Sequence, residues 1–339
     1  MRNYLEHWQA MSAMERETAA RGLVLKLPSG FAFDSIVSCR VGNQVNEVAM
    51  FRFEGARFAL IPGGIVSIGF DADRQWSPSS DELESWRATS EEYGIDKALQ
   101  EYIREVTLRR RQVEIAPFLI ETEARELGWE TISLDDPIVR DLLKEHGRDK
   151  QVEARNAGVS TRVRRHDGHI VAERSVNQTH SDLAERLRAS GFRFPTSDEW
   201  EYACGSGEQA LFRWGDHIPC DRYPTDISPA EARWRKDWVL SGGKLEYPDE
   251  GFAPDWDQHR KPNVFGLHIA ADPYKSELTA EVGTTRGGDG GRTICGGMGF
   301  FIGWLTLATA YFEEHACKHD PAEAVDPAYT VGRRVLSLP

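Results

Sequence analysis

The sequence predicts a mixed α+β fold with little regular secondary structure, and three observations lead there. Short β-rich runs recur along the first 120 residues. A helix near residue 200 carries an explicit start signal. From 206 to 290 the chain is rich in glycine, proline, aspartate and aromatic residues, so long ordered loops are expected. The chain has 339 residues, of which 40% are hydrophobic and ten are tryptophan, so a sizeable core is available. A formal net charge of −13 opposes nucleic acid and anionic membranes as partners, because both need a basic field. The first residues mix charges with no apolar core, so a signal peptide is not expected. The longest apolar stretch, Gly296 to Phe312, holds too many glycines for a membrane span. Cys39, Cys204, Cys220, Cys295 and Cys317 are odd in number and widely spaced, which reads as free thiols. A soluble cytoplasmic protein of bacterial type is the expectation.

The elements follow in order. Tyr4, Leu5, Trp8, Met11 and Met14 recur at helical spacing and predict one amphipathic N-terminal helix. Glu47 to Leu60 predicts two strands around a turn at Glu54-Gly55. In residues 61–70 (IPGGIVSIGF) glycines separate two β-rich pieces. Residues 80–105 read as a helix interrupted at Gly94, with Leu83, Trp86, Tyr93, Leu99, Tyr102 and Ile103 on its apolar face. Residues 111–120 read as a strand with Pro117 at an edge or bulge. In HDGH (166–169), Asp167-Gly168 is a hairpin-turn pair. A short helix is expected over 181–189 and a second over 197–204. The second is capped by Thr196 with Glu199 three residues later, shows Trp200 and Ala203 on one face, and ends at Gly205. The apolar run 296–312 reads as a buried strand plus connecting loop, or as the wall of a pocket.

Three groups could carry chemistry, and each has a plainer alternative. His315 and His319, four apart with Cys317, Glu314 and Asp320 nearby, would share a helix face and hold a metal; otherwise they lie on a solvated loop. His166 and His169 would meet across the hairpin, although Arg162, Arg164, Arg165 and Arg174 oppose a bound cation there. Trp214, Trp234, Trp238 and Trp256 are either a ligand surface or core. No Walker motif, dinucleotide fingerprint, nucleophile elbow or HExxH is present.

The order of several segments resembles the formylglycine-generating (sulfatase-modifying) enzyme family. FRFPTSDEWEYACGSG (192–207) followed by FRWGD (212–216) looks like that family's central signature. IPGGIVSIGF resembles its opening Pro-Gly-Gly strand, APFLIETEAREL (116–127) its Pro-Phe segment, and KPNVFGLHI (261–269) its Pro-Asn-x-Phe-Gly-Leu turn. ICGGMGFF (294–301) resembles the Arg-Gly-Gly-Ser core strand and VGRRVLSL (331–338) the closing strand. The resemblance covers about residues 58–338. It implies a fold similar to C-type lectins, with residues 1–57 as an extension packed on a main domain of 58–339, and inserts near 75–107 and 130–175.

The departures bear on function. Catalytic members bind copper(I) through two cysteines, and thiolates suit that ion. Aligning the glycine pair on Gly296-Gly297 puts Phe301 and Thr306 at those positions and Met298 at the serine. Cys295 alone does not replace the pair, so copper and formylglycine formation are not expected. The family's calcium segment aligns with 271–279, where Asp272 and Glu277 would be the oxygen ligands. The resemblance implies a cleft near 296–319 lined from Cys295, Gly297, Met298, Phe301, Trp304 and Thr306. Strand alternation and the cysteine position select Phe301 over Phe300 as the residue facing it. Two readings stay open. One is a metal- and oxygen-dependent or tailoring enzyme. The other is a non-catalytic binding module for a small molecule, a peptide or a protein partner.

Overall fold

The computed structural model describes residues 4–73, 76–146, 150–156, 158–166, 168–207, 209–248 and 250–338, with the backbone alone of His166. It is an α+β protein, 30% helix and 28% strand. That is more regular structure than the loop-rich composition implied.

At its centre is a five-stranded sheet in the order Ala32–Val41, Gln44–Phe53, Ala56–Ile61, Phe118–Glu121, Val335–Ser337. The expected turn at Glu54-Gly55 joins two of these strands. Both residues have positive φ, 49° and 78°, the geometry a two-residue hairpin needs to match strand twist. Alternation along Val48–Phe51 sends side chains to two faces, and both are buried. Ala49 and Phe51 pack with Phe58, Leu119, Leu336 and Ala20. Val48 and Met50 pack with Ile61, Phe118, Val335 and the helix Ser197–Gly205.

The boundary expected at 57/58 runs through the strand Ala56–Ile61, so the first strands belong to the main sheet and are not an extension of it. The N-terminal helix is two helices, Tyr4–Ala10 and Ala13–Val24, because Ser12 and Glu15 form a capping box that starts the second. Tyr4 and Met14 are exposed, so a single apolar stripe does not form. The expected strand 111–120 divides at Ala116-Pro117. Arg111–Ile115 pairs with Gly64–Ile68, while Phe118–Glu121 joins the central sheet.

The helix Ser197–Gly205 starts at the predicted cap. Thr196 Oγ1 accepts from Glu199 N at 3.1 Å and Glu199 Oε2 accepts from Thr196 N at 2.8 Å. It is buried on nearly every side, Glu199 and Glu201 included. Glu199 is held by Arg193 at 2.6 and 2.7 Å, and Glu201 meets Arg286 at 3.1 Å. Gly205 is the last helical residue; a Cβ there would lie 2.5 Å from Thr309 Cγ2, and the left-handed cap falls on Ser206.

The stretch 129–175 forms a four-stranded sheet, in the order Trp129–Ile132, His169–Ser175, Val159–His166, Gln151–Asn156. The helix Pro137–Glu145 covers it, and Val139, Leu142, Val152, Val163 and Ala172 make its own core. His166 and His169 are backbone partners; Asp167 and the His166 side chain lie outside the described residues. Between 206 and 290, where loops were expected, the helix Pro229–Leu240 begins at Ser228 with Pro229 in its first turn. The strands Ser276–Leu278 and Thr285–Arg286 complete a sheet with Arg125–Glu126 and Thr330–Gly332. No helix among the described residues is long and apolar enough to cross a membrane.

Candidate functional site

The apolar run 296–312 is helical where a strand was expected. A short helix Arg292–Cys295 leads through left-handed Gly297 (φ 71°) and Gly299 (φ 77°) into the helix Phe300–Leu305. Phe301 to Leu305 are all buried. A helix buried on every side has a continuous apolar sequence, which periodicity cannot distinguish from a core strand. Gly299 lets the neighbouring helix Ser80–Tyr93 approach, since a Cβ there would lie 1.9 Å from Thr89 Oγ1. Tyr93 Oη donates to Gly296 O at 2.9 Å, and Phe301 N donates to Ser85 Oγ at 3.2 Å.

This geometry moves the expected site. Phe301 is fully buried against Trp76, ring centroids 5.8 Å apart, so it is core. Phe300 is half-buried beside Tyr223 at 4.9 Å and lines an open pocket. The choice of Phe301 fails because a helix turns successive side chains by about 100°, whereas strand alternation had placed them on opposite faces. Trp304 and Thr306 are also fully buried. Trp304 Nε1 donates to Arg222 O at 2.8 Å and Thr306 Oγ1 to Gly303 O at 2.9 Å. Gly297, Met298 and Cys295 are not among the residues that line this pocket. Cys295 is exposed, with Sγ 3.3 Å from Tyr274 Oη.

The metal candidates do not assemble. The helix Glu314–Cys317 is a single turn that ends before His319, so the four-residue spacing puts nothing on a shared face. His315 is exposed, and its carbonyl accepts from Arg292. His319 stacks instead on His180, centroids 5.6 Å apart. Glu277 is taken by Arg333, at 2.7 and 2.9 Å, so a guanidinium stands where a calcium ion was expected. Asp272 is exposed and accepts from Tyr274 N at 2.9 Å. Neither set fits a cation. Among the described residues, no group of three or more His, Cys, Asp or Glu is placed to hold a metal.

What the fold does build is a pocket of about 880 Å³. One wall is the helix Ser80–Tyr93, which presents Asp81, Glu84, Ser85, Ala88 and Glu92, residues spaced three and four apart on one face. The opposite wall is the segment 217–222 with Asp255, and Trp256 and Phe300 supply aromatic surface. Among the lining residues, Arg222 is the one lysine or arginine, and it is bound to Asp221 at 2.9 Å and Asp255 at 2.6 Å. Glu84 pairs with Arg87 at 2.7 Å. Asp81 and Glu92 have no ion-pair partner among the described residues. Behind the wall, fully buried Glu82 accepts from Ser79 N at 2.7 Å and Ile218 N at 3.3 Å, and its Oε2 lies 3.3 Å from His217 Nδ1. The pocket is therefore strongly negative. Burial, reinforced by Glu82, Asp81 and Asp221, pushes the Cys220 thiol up to about 12, so it is no thiolate nucleophile at neutral pH.

The sequence reading assigned a helix over 80–105, interrupted at Gly94, from its apolar residues and passed over the acidic face that Asp81, Glu84 and Glu92 make within it. The sequence matches no protein-family model and no curated protein.

Proposed function

We propose that this chain is a divergent member of the formylglycine-generating enzyme-like group that binds an organic cation, an amine or the basic side chain of a peptide, in the pocket between residues 80–93 and 217–222. The observation that carries this is an acidic wall facing aromatic surface. Carboxylates supply charge attraction, and Trp256 and Phe300 offer rings over which alkyl-ammonium groups settle. An anionic ligand would meet Asp81 and Glu92 without compensation.

The family assignment is supported by motif order and by a shifted register. Arg286-Gly287-Gly288 opens on the strand Thr285–Arg286, beneath the helix of the central signature, as expected of an Arg-Gly-Gly core strand; Gly296-Gly297 does not. The shift moves the two cysteine positions to Arg292 and Gly297, which again supply no thiolate. Incubation with copper(I) and a sulfatase-type cysteine peptide is expected to yield no aldehyde. Sustained turnover would mean that Cys295 or Cys317 had taken over, and would overturn the reading.

The ligand test is calorimetry with spermidine at low ionic strength. Saturable binding is expected, weakened by salt. The Asp81→Asn/Glu92→Gln pair should lose roughly tenfold or more in affinity, taking each charge as worth about 1 kcal/mol at a solvated site. Equal affinity in the variant, or preference for a dicarboxylate probe, would remove the cation reading. A catalytic version finds its one foothold in the His217–Glu82 contact, which could exchange a proton with a bound amine. The metal- and oxygen-dependent version needs a ligand set that the described residues do not bring together.

A further inference from the structure

His180 is the first residue of the helix His180–Ala189 and is fully buried. Its ring is committed at both nitrogens. Nδ1 accepts from Gly283 N at 3.1 Å, and Nε2 lies 2.8 Å from Thr279 O, to which it must donate. Only the neutral Nε2–H tautomer meets both partners. The His319 ring lies nearly parallel to it, 15° between planes. His319 N in turn donates to Gly283 O at 3.1 Å, and Lys318 Nζ to Thr284 Oγ1 at 2.7 Å. Farther on, Val325 N donates to Gln178 O at 2.9 Å. Three segments thus meet at one imidazole: the helix start at 178–180, the turn 279–284 and the segment 318–325.

We propose that His180, stacked on His319, is an acid-labile clamp whose protonation releases the 279–284 turn and the 318–325 segment from the helix. A proton on Nδ1 would point at the Gly283 N–H, replacing an acceptor by a second donor. It would also bury a positive charge in the first turn of a helix, where the dipole disfavours cations. The charged groups around the pair are mixed: Glu281 on the turn, and Lys318, Asp320 and Glu323 on the C-terminal segment. The nearby carboxylates do not reverse the balance. Burial is the leading cause that pulls both imidazoles below the usual histidine range. The folded form therefore binds protons less readily than the opened form. The clamp's stability is present above about pH 6.5 and lost as pH falls below it.

The test is hydrogen exchange read by mass spectrometry on the full chain, corrected for intrinsic rates. Peptides over 279–284 and 318–325 should open about tenfold more for each pH unit below 6.5, until opening is complete. Peptides of the central sheet should not follow. His180→Gln keeps a donor but cannot titrate, so it should open more at pH 7.5 and keep only the weaker pH dependence that His319 contributes. An unchanged pH dependence in that variant, or pH-independent opening in the unaltered chain, overturns the proposal. Should His180→Gln fail to fold, histidine NMR of the unaltered chain decides. The Nε2–H tautomer must persist until these segments open, and ordinary titration without opening overturns the clamp.

Discussion

Arg333→Met is expected to destabilise the protein by about 3–5 kcal/mol, the range for removing one partner of a buried ion pair. Arg333 is 1% exposed. Its Nε and Nη2 grip Glu277 in a fork, and Nη1 donates to Glu121 O at 3.1 Å and Thr122 O at 2.8 Å. Nη2 also reaches His268 O. Methionine would fill much of the volume but leave a buried carboxylate and three carbonyls without that donor. Arg333→Lys should recover only part of the loss, since an ammonium cannot reproduce a planar fork. Urea unfolding measures both. Replacing Glu277 by leucine in the methionine background should recover part of the stability, because the stranded charge is then gone while the three carbonyls still lack their donor. A loss below about 1 kcal/mol in the single variant would show that the pair is not what joins the strand Ser276–Leu278 to the closing segment.

Trp200→Ala should cost about 3–5 kcal/mol, as truncating a fully buried aromatic does. Trp200 belongs to the cluster of Val48, Met50, Phe118 and Val335, and is fully buried. The Arg286 guanidinium lies 5.4 Å from its ring centroid. Gly287 is fitted to it, since a Cβ there would lie 2.7 Å from Trp200 Cζ2. Trp200→Phe should keep most of the packing and lose less. If the alanine variant unfolds at the same urea concentration and with the same slope as the unaltered chain, the central signature is not part of the core.

Both predictions rest on features that were unequally visible in the sequence. The Thr196–Glu199 cap and the Glu54-Gly55 turn are local chemistry, written in adjacent residues, and the structure follows them. The helix Pro229–Leu240 had a comparable signal, Ser228-Pro229 with Glu231 behind it, hidden within a segment of loop-like composition. The helix Phe300–Leu305 could not be separated from a strand, because burial on every side erases periodicity. The pocket was harder still. Its acidic wall and its opposite wall are distant in sequence, and the partner of the 80–93 helix is chosen by how closely Gly299 lets two backbones pass. The metal sites failed for a related reason. Spacing describes a helix face only where a helix exists, and a carboxylate looks free until its guanidinium is found.

The central sheet has a kinetic consequence. The hairpin Gln44–Ile61 can form from neighbouring residues, within microseconds of its synthesis. Its next partner, Phe118–Glu121, arrives later, and the edge of that strand is covered only when Leu336 pairs with Leu119. Until Val335–Ser337 emerges from the ribosome, Phe118–Glu121 has an unpaired edge. Such long-range closure slows folding and lengthens exposure to aggregation. During that interval the apolar strand still waiting for its neighbour is open to pairing with another chain.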